Sequence, residues 1–468
     1  MRGFRNPEAA VPFIRSWYFM RIIIVGAGEV GSYLAKRLAH AQHDVTVIEV
    51  DPVKCQQLQN TVDCMIVQGS GVSPKRLIEA GAHNADLLVA ASSVDEVNLM
   101  ACVLANSLGI PRKVARVRNL EYSDKEAPIN PKQLGIDLMI HPEVVAAEHL
   151  VNLIRRTYAT DVIEYSAAKM QMLGIRIESR DAPIVGRPLA EIVRDYPDVE
   201  FRTVAILRGT RTIIPKGNDQ IFNKDQIFVI AKDESLPEVL KLVGKEETQL
   251  RRMMVLGGGR IGRYVAKAME NDKGLKIKLI EANAEKSQTV ASELSNTLVL
   301  QGDGTDLDLL ATEGITEMDA FVASTNDDEN NLVSCLLAKH LGVKRVIGLV
   351  NKSEYLPVIN TIGLNAAVSP KVAVADEILR YVRRGKIVSI STLREIDAEV
   401  MEIVTPEDSP ITKKPLKDTR LPDGAIISAL YRNGESIIPV GSTQLQANDL
   451  AVVVTLPEAI EGIEKAFT

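Results

Sequence analysis

The sequence predicts an α/β protein: two tandem parallel-sheet domains, each followed by a small α+β domain. Two repetitions carry this. A buried strand, a tight glycine turn and a helix run near the start as RIIIVGAGEVGSYLAKRL and return more than two hundred residues later as RRMMVLGGGRIGRYVAKAM. A shorter stretch of alternating strands around Pro-x-Gly turns also occurs twice, which sets the order A-B-A-B.

In the first A domain, Gly26, Gly28 and Gly31 make the G-x-G-x-x-G spacing between a strand and a helix, the signature of a Rossmann-like domain. The first glycine permits the turn, the second lets a pyrophosphate approach the backbone, and the third allows helix–strand packing. Glu29 and Val30 fill the intervening positions where the helix N-terminus faces the phosphates. The next strand, DVTVIEV, places Glu49 eighteen residues after Gly31, where a strand-end acid accepts hydrogen bonds from an adenosine ribose and repels a 2′-phosphate. A bare triad is weak evidence. The triad with its strand, helix and spaced acid favours nucleotide binding over a purely structural turn.

The second copy repeats each part: Gly257, Gly259 and Gly262 with Arg260 and Ile261 between them, then LKIKLIEAN with Glu281. Beyond the motif, Gly81/Gly314, Asp86/Asp319, Asn98/Asn331 and Gly109/Gly342 each stand 233 residues apart. The small modules align through Pro183/Pro410, Pro188/Pro415, Pro215/Pro439, Gly217/Gly441 and Asp225/Asp449. The expected division is an extension at 1–19, Rossmann-like domains at 20–157 and 251–386, and small α+β domains at 158–244 and 387–468.

Ser92 and Thr325 each follow a buried strand and precede an acidic helix start, DEVNL or DDENNL. They are expected to N-cap those helices, with a second contact to bound nucleotide open because parallel-strand ends line the cleft. The junctions HPEVVAAEHLVNLIRRT and SPKVAVADEILRYVRRG are apolar at helical spacing. Such helices either pack on their own domain or cross to a partner subunit. GKEETQLRR reads as a charged linker.

Composition removes several function classes. A net charge of −6 without a basic run gives no electrostatic reason to bind nucleic acid. No apolar stretch is long enough to span a bilayer, so a membrane role must come through a partner. Cys55, Cys64, Cys102 and Cys335 lack metal-like spacing and read as buried thiols. Residues 1–19 lack the form of a secretory signal and read as an upstream start or a short docking arm.

With the glycine turns, the VRN strand, the DExN-type helix starts and the PIVGRPL and IIPKG segments on the page, the chain from Met20 onward resembles the TrkA family, the tandem RCK (KTN) subunits of Trk potassium uptake systems. The resemblance implies a regulator, not an enzyme. It implies a cytoplasmic homotetrameric ring, peripheral to the inner face of the cell membrane, beneath a membrane-embedded potassium-translocating subunit. It also implies Rossmann-like domains that bind NAD(H), and ATP or ADP as well, and change the ring's shape; four chains of two units each make eight units. No catalytic residue and no metal site are expected.

The two copies differ within that frame. Where the family has Gly-Asp after the third strand, Gly302-Asp303 keeps it and Gly69-Ser70 does not. The family's arginine on a following strand is present as Arg116, where Leu349 takes the aligned place. Arg260 stands at the position of Glu29 and either reaches a terminal phosphate or is a solvated first-turn residue. The first site is therefore expected to prefer a dinucleotide and the second to tolerate ATP or ADP better. The competing reading is an NAD-dependent oxidoreductase. It is weakened because the six histidines, His40, His43, His83, His141, His149 and His340, are scattered, and neither small module holds any.

Overall fold

The computed structural model describes residues 20–40, 43–123, 130–165, 170–246, 249–352, 355–356, 359–382, 387–392, 396 and 398–467. The extension at 1–19 and positions 247–248 of the charged linker lie outside them.

The first Rossmann-like domain runs β1 (Arg21–Val25), α1 (Glu29–His40), β2 (Asp44–Glu49), α2 (Pro52–Gln59), β3 (Met65–Gln68), α3 (Pro74–Glu79), β4 (Leu87–Ala90), α4 (Asp95–Ser107), β5 (Arg112–Arg116) and β6 (Leu138–Ile140). Its six strands are parallel in the order β3-β2-β1-β4-β5-β6. Four of the five residues of β1 are buried, as expected of a central parallel strand covered on both faces. The order reverses between β1 and β4, and at such a point the carboxyl ends of the strands open a crevice.

Then come α5 (Pro142–Arg155) and the first small sheet, with β7 (Asp161–Tyr165), β8 (Met170–Arg176), α6 (Leu189–Asp195), β9 (Phe201–Arg208), β10 (Arg211–Ile213), β11 (Gln226–Lys232) and α7 (Leu236–Leu242). Its strands are antiparallel in the order β10-β9-β11-β8-β7.

The second Rossmann-like domain runs β12 (Arg252–Leu256), α8 (Arg260–Met269), β13 (Lys276–Glu281), α9 (Ala284–Glu293), β14 (Thr297–Gln301), α10 (Leu307–Thr312), β15 (Ala320–Ala323), α11 (Asp328–His340), β16 (Arg345–Leu349), α12 (Ile359–Ile362) and β17 (Ala366–Val368). Its parallel order, β14-β13-β12-β15-β16-β17, repeats the first. After α13 (Pro370–Val382) come β18 (Ile387–Thr392), β19 (Glu399–Val404), β20 (Ala425–Arg432), β21 (Glu435–Ile437), β22 (Leu450–Thr455) and α14 (Ile460–Phe467). They form the sheet β18-β19-β22-β20-β21. The β20–β21 hairpin turns on Asn433 and Gly434 with φ of 51° and 90°, the left-handed pair that a two-residue turn demands.

Strand β8 is buried along six of its seven residues because the small sheet has two covered faces. Leu173 and Ile175 join its own core with Ile227 and Val229. Met170, Met172, Phe228 and Ile230 meet Val400, Ala429, Val452 and Val454 of the second small sheet. Arg202 Nη1 donates to the carbonyl of Ile427 across this contact, at 2.8 Å. The B modules thus bury their apolar faces on each other within one chain.

The chain divides into two compact units, one of residues up to Ala146 with Pro370–Ile378, the other of Ala147–Ser369 with Leu379–Thr468. Both junction helices are split between these units: α5 from Ala147 onward falls in the second, and Pro370–Ile378 of α13 in the first. From Ala147 onward α5 belongs with the second Rossmann-like domain. There Arg155 donates to both carboxylate oxygens of Asp272 (3.1 and 3.0 Å) and to Ala268 O (3.2 Å). Arg345, buried and pushed down to about 10 by desolvation, donates to Leu153 O and Ala159 O at the end of α5. A duplicated chain offers each amphipathic helix an equivalent surface on the other repeat, which sequence periodicity does not distinguish from its own.

Candidate functional site: two glycine turns at the strand ends

In both copies the chain leaves the central strand through a left-handed glycine, with φ of 98° at Gly26 and at Gly257. A β-carbon on Gly31 would stand 1.9 Å from Gly26 O, and one on Gly262 2.0 Å from Gly257 O. These four glycines are required by the protein's own packing. A β-carbon on Gly28 would meet nothing within 4 Å, and one on Gly259 only Ser324 O at 3.9 Å. The middle glycine thus leaves an open cradle at the N-terminus of a long helix, where a phosphate is favoured. Val30 and Ile261 are buried behind the turn, while Glu29 and Arg260 are exposed on its rim.

The strand-end acids hold these turns from beneath. Glu49, 6% exposed, accepts from Ala27 N at 2.5 Å and from Val50 N and Asp51 N at 2.8 and 2.9 Å. Glu281 accepts from Gly258 N at 2.9 Å and Asn283 N at 3.0 Å, and pairs with Lys286 Nζ at 2.6 Å. Burial alone would raise the Glu281 carboxyl, but Lys286 and these amides outweigh it and hold the group below its ordinary value. Each carboxylate keeps lone-pair capacity for a further donor.

Ser92 and Thr325 are not the helix caps. The N-cap of α4 is Val94, without a side-chain bond, and that of α11 is Asp327, whose carboxylate accepts from Asn330 N at 2.8 Å. Ser92 Oγ accepts from Val94 N at 3.0 Å, and Thr325 Oγ1 from Asp327 N at 3.2 Å, so both hydroxyls shape the loop two residues upstream. That loop abuts the glycine turn: a β-carbon on Gly26 would lie 2.9 Å from Ser92 Cα, and one on Gly257 3.1 Å from Thr325 N.

Asp303 and Ser70 serve one loop role with different charge. Asp303 Oδ1 accepts from the N–H and hydroxyl of Thr305 at 2.9 and 2.8 Å, which hold its carboxyl below the ordinary range, while Ser70 Oγ accepts from Val72 N at 3.4 Å. Arg116 is half-buried and donates through Nη1 to Ser92 O at 2.9 Å. Its Nε is buried with no hydrogen-bond partner among the described residues. Desolvation lowers its pKa first and Arg118 lowers it further, against opposing fields from Glu143, Asp95 and Glu29. Because Ser92 also walls Gly26, the bond to Ser92 O sets the guanidinium beside the first turn. Leu349, in the second copy, is buried and apolar.

Four residues not foreseen as site residues brace the strand ends of both copies. Asn98 and Asn331, each wholly buried on a helix, bond the ends of the two strands beside them. Asp95 accepts from Arg118 N and Asn119 N at 2.9 and 2.8 Å, and Asp328 from Asn351 N and Lys352 N, both at 2.8 Å. Their signal was repetition of D-x-x-N at the two helix starts, where a buried asparagine on an otherwise apolar face needs partners.

The comparisons with known proteins agree with this duplicated plan. The TrkA-N domain matches residues 22–142 and 253–370, and the TrkA-C domain residues 172–244 and 400–468. Trk system potassium uptake protein TrkA of Azorhizobium caulinodans is 34% identical over 452 residues, covering 96% of this chain and 98% of its own length. TrkA homolog 1 of Methanosarcina mazei is 34% identical over 457 residues, covering 96% of this chain and 100% of its own. Among solved structures, the GsuK RCK domain superposes with a TM-score of 0.60 at 18% identity over 96% of this chain and 95% of its own. The GsuK channel bound to NAD gives 0.60 at 18% identity over 96% of this chain and 79% of its own. At that identity the structural likeness speaks to fold. Repeats, sheets and relatives together place the chain in the TrkA family of Trk system potassium uptake proteins.

Proposed function

We propose that this protein is the nucleotide-binding regulatory subunit of a Trk potassium uptake system and not an enzyme. The observation that carries nucleotide binding is the open cradle at Gly28 and Gly259, where the fold itself does not require a missing side chain. The orphaned Nε of Arg116 supports an anion at the first site. In this reading the chain is cytoplasmic, lies against the inner face of the cell membrane and forms a homotetrameric ring that contacts the membrane-embedded potassium-translocating subunit. No helix among the described residues is long and apolar enough to cross a membrane itself. Nucleotide binding shifts the ring between two shapes, which requires different affinity for the two.

The two sites are tuned to different ligands. At the first, Glu29 on the turn and Arg116 across it favour the modest charge of a dinucleotide such as NAD(H). At the second, Arg260 brings a cation to the turn itself and favours the terminal phosphate of ADP or ATP. Glu49 and Glu281 take ribose hydroxyls, with Ser70, Ser92, Asp303 and Thr325 lining the strand-end loops.

The test is rubidium uptake at limiting external potassium in cells lacking the gene, restored with wild type or with Gly28→Ala plus Gly259→Ala. Rescue by wild type alone is expected. Uptake that is unchanged on deletion would overturn the potassium reading, and full rescue by the double variant would overturn the nucleotide control.

A further inference from the structure

We infer that Asn98 and Asn331 are positioning residues of the two nucleotide sites, an inference that rests on the nucleotide reading above. Neither touches the glycine turn. Each acts through the loop that walls it.

The last ladder pairs of the neighbouring strands are Ala90↔Ala115 in the first domain and Ala323↔Gly348 in the second. Just beyond them the backbone needs other partners, and the asparagine supplies them. Asn98 Oδ1 accepts from Ser92 N at 2.9 Å, and its Nδ2 donates to Ser92 O at 2.9 Å and Arg116 O at 2.7 Å. Asn331 Oδ1 accepts from Thr325 N at 2.9 Å and Thr325 Oγ1 at 2.7 Å, and its Nδ2 donates to Thr325 O at 3.0 Å and Leu349 O at 2.9 Å. A primary amide alone combines an acceptor and two donors in this plane, so neither an ionised aspartate nor a leucine would reproduce these bonds.

The consequence passes directly to the site. Gly26 packs against Ser92, and Gly257 against the Ser324–Thr325 peptide, at about 3 Å from a β-carbon built there. In the first copy the amide also fixes the carbonyl of Arg116, and the Arg116 guanidinium returns to Ser92 O. One buried side chain thereby orders the loop wall, the glycine turn against it and the cation across from it. Two independent copies, with different residues at 92/325 and 116/349, keep the same arrangement.

The test is titration calorimetry of the full chain with NADH and with ADP, on wild type, Asn98→Ala, Asn98→Asp and Asn331→Ala, with a thermal melt of each sample. The aspartate fits the same space but cannot donate. Both Asn98 variants are expected to weaken the first site by about tenfold or more and leave the second unchanged, and Asn331→Ala to do the reverse. A role in overall stability alone would lower the melt and move both sites together. Unchanged affinity at the matching site in a variant that still melts cooperatively, or equal loss at both, overturns the inference. Two sites that bind in wild type but ignore the asparagines leave the functional reading standing, whereas a wild type that binds neither ligand removes both.

Discussion

A β-carbon on Gly31 would lie 1.9 Å from the carbonyl oxygen of Gly26, while one on Gly28, three residues earlier, would touch nothing within 4 Å. One motif thus contains glycines that the chain's own packing requires and one that it does not. Gly31→Ala is expected to cost about 1–3 kcal/mol in urea unfolding through overpacking. Gly28→Ala is expected to stay within about 0.5 kcal/mol of wild type yet lower nucleotide affinity at the first site. Equal stability losses for the two would show that the cradle is not open.

The Glu281–Lys286 pair carries a pH dependence with a definite sign. Its carboxyl is held below the ordinary 4.5 in the folded chain, so its stabilisation is fully present above that value. The contribution is lost as pH falls from about 4.5 through the depressed folded value. Lys286→Ala should shrink this acid-side loss in denaturant titrations at stepped pH. An identical pH profile for the variant would mean that the lysine does not hold the carboxylate.

Ligand choice should follow the displaced cation. Arg260→Glu gives the second turn the charge of the first, and is expected to weaken ADP there by about tenfold while sparing NADH. Arg116→Leu should weaken the first site for both ligands. Comparable affinities of both wild-type sites for both nucleotides would sink the proposed division.

The small domains share a buried acid. Asp449, 1% exposed, accepts from Arg432 Nε and Nη2 at 2.7 and 2.6 Å and from Gln446 N at 2.7 Å. Asp225 does the same for Arg208 and Phe222 N. Asp449→Asn is expected to cost about 2–4 kcal/mol, because a carboxylate acceptor is lost beside a partly buried guanidinium. A loss below about 0.5 kcal/mol by equilibrium unfolding would show that the carboxylate charge adds nothing to the pair beyond what a neutral acceptor gives.

Legibility followed recognisable motif spacing. The turns at Gly26 and Gly257 and the acids at Glu49 and Glu281 follow a fixed motif spacing, and duplication made each visible twice. The caps of α4 and α11 were misjudged at Ser92 and Thr325 because several adjacent polar residues compete there, and only the backbone path selects Val94 and Asp327. Asn98 escaped notice as a site residue because no motif spacing announces its bond to the carbonyl of Arg116 on another strand.

By itself the sequence determined the A-B-A-B order, two parallel-sheet domains each followed by a small α+β domain, and the positions of both turns, since periodicity and glycine spacing express local backbone constraints. Only the tertiary structure decided that the junction helices divide between the repeats, that the small sheets are antiparallel and that they cover each other. Those outcomes depend on which apolar surfaces meet, and two nearly equal repeats offer each surface more than one place to be buried.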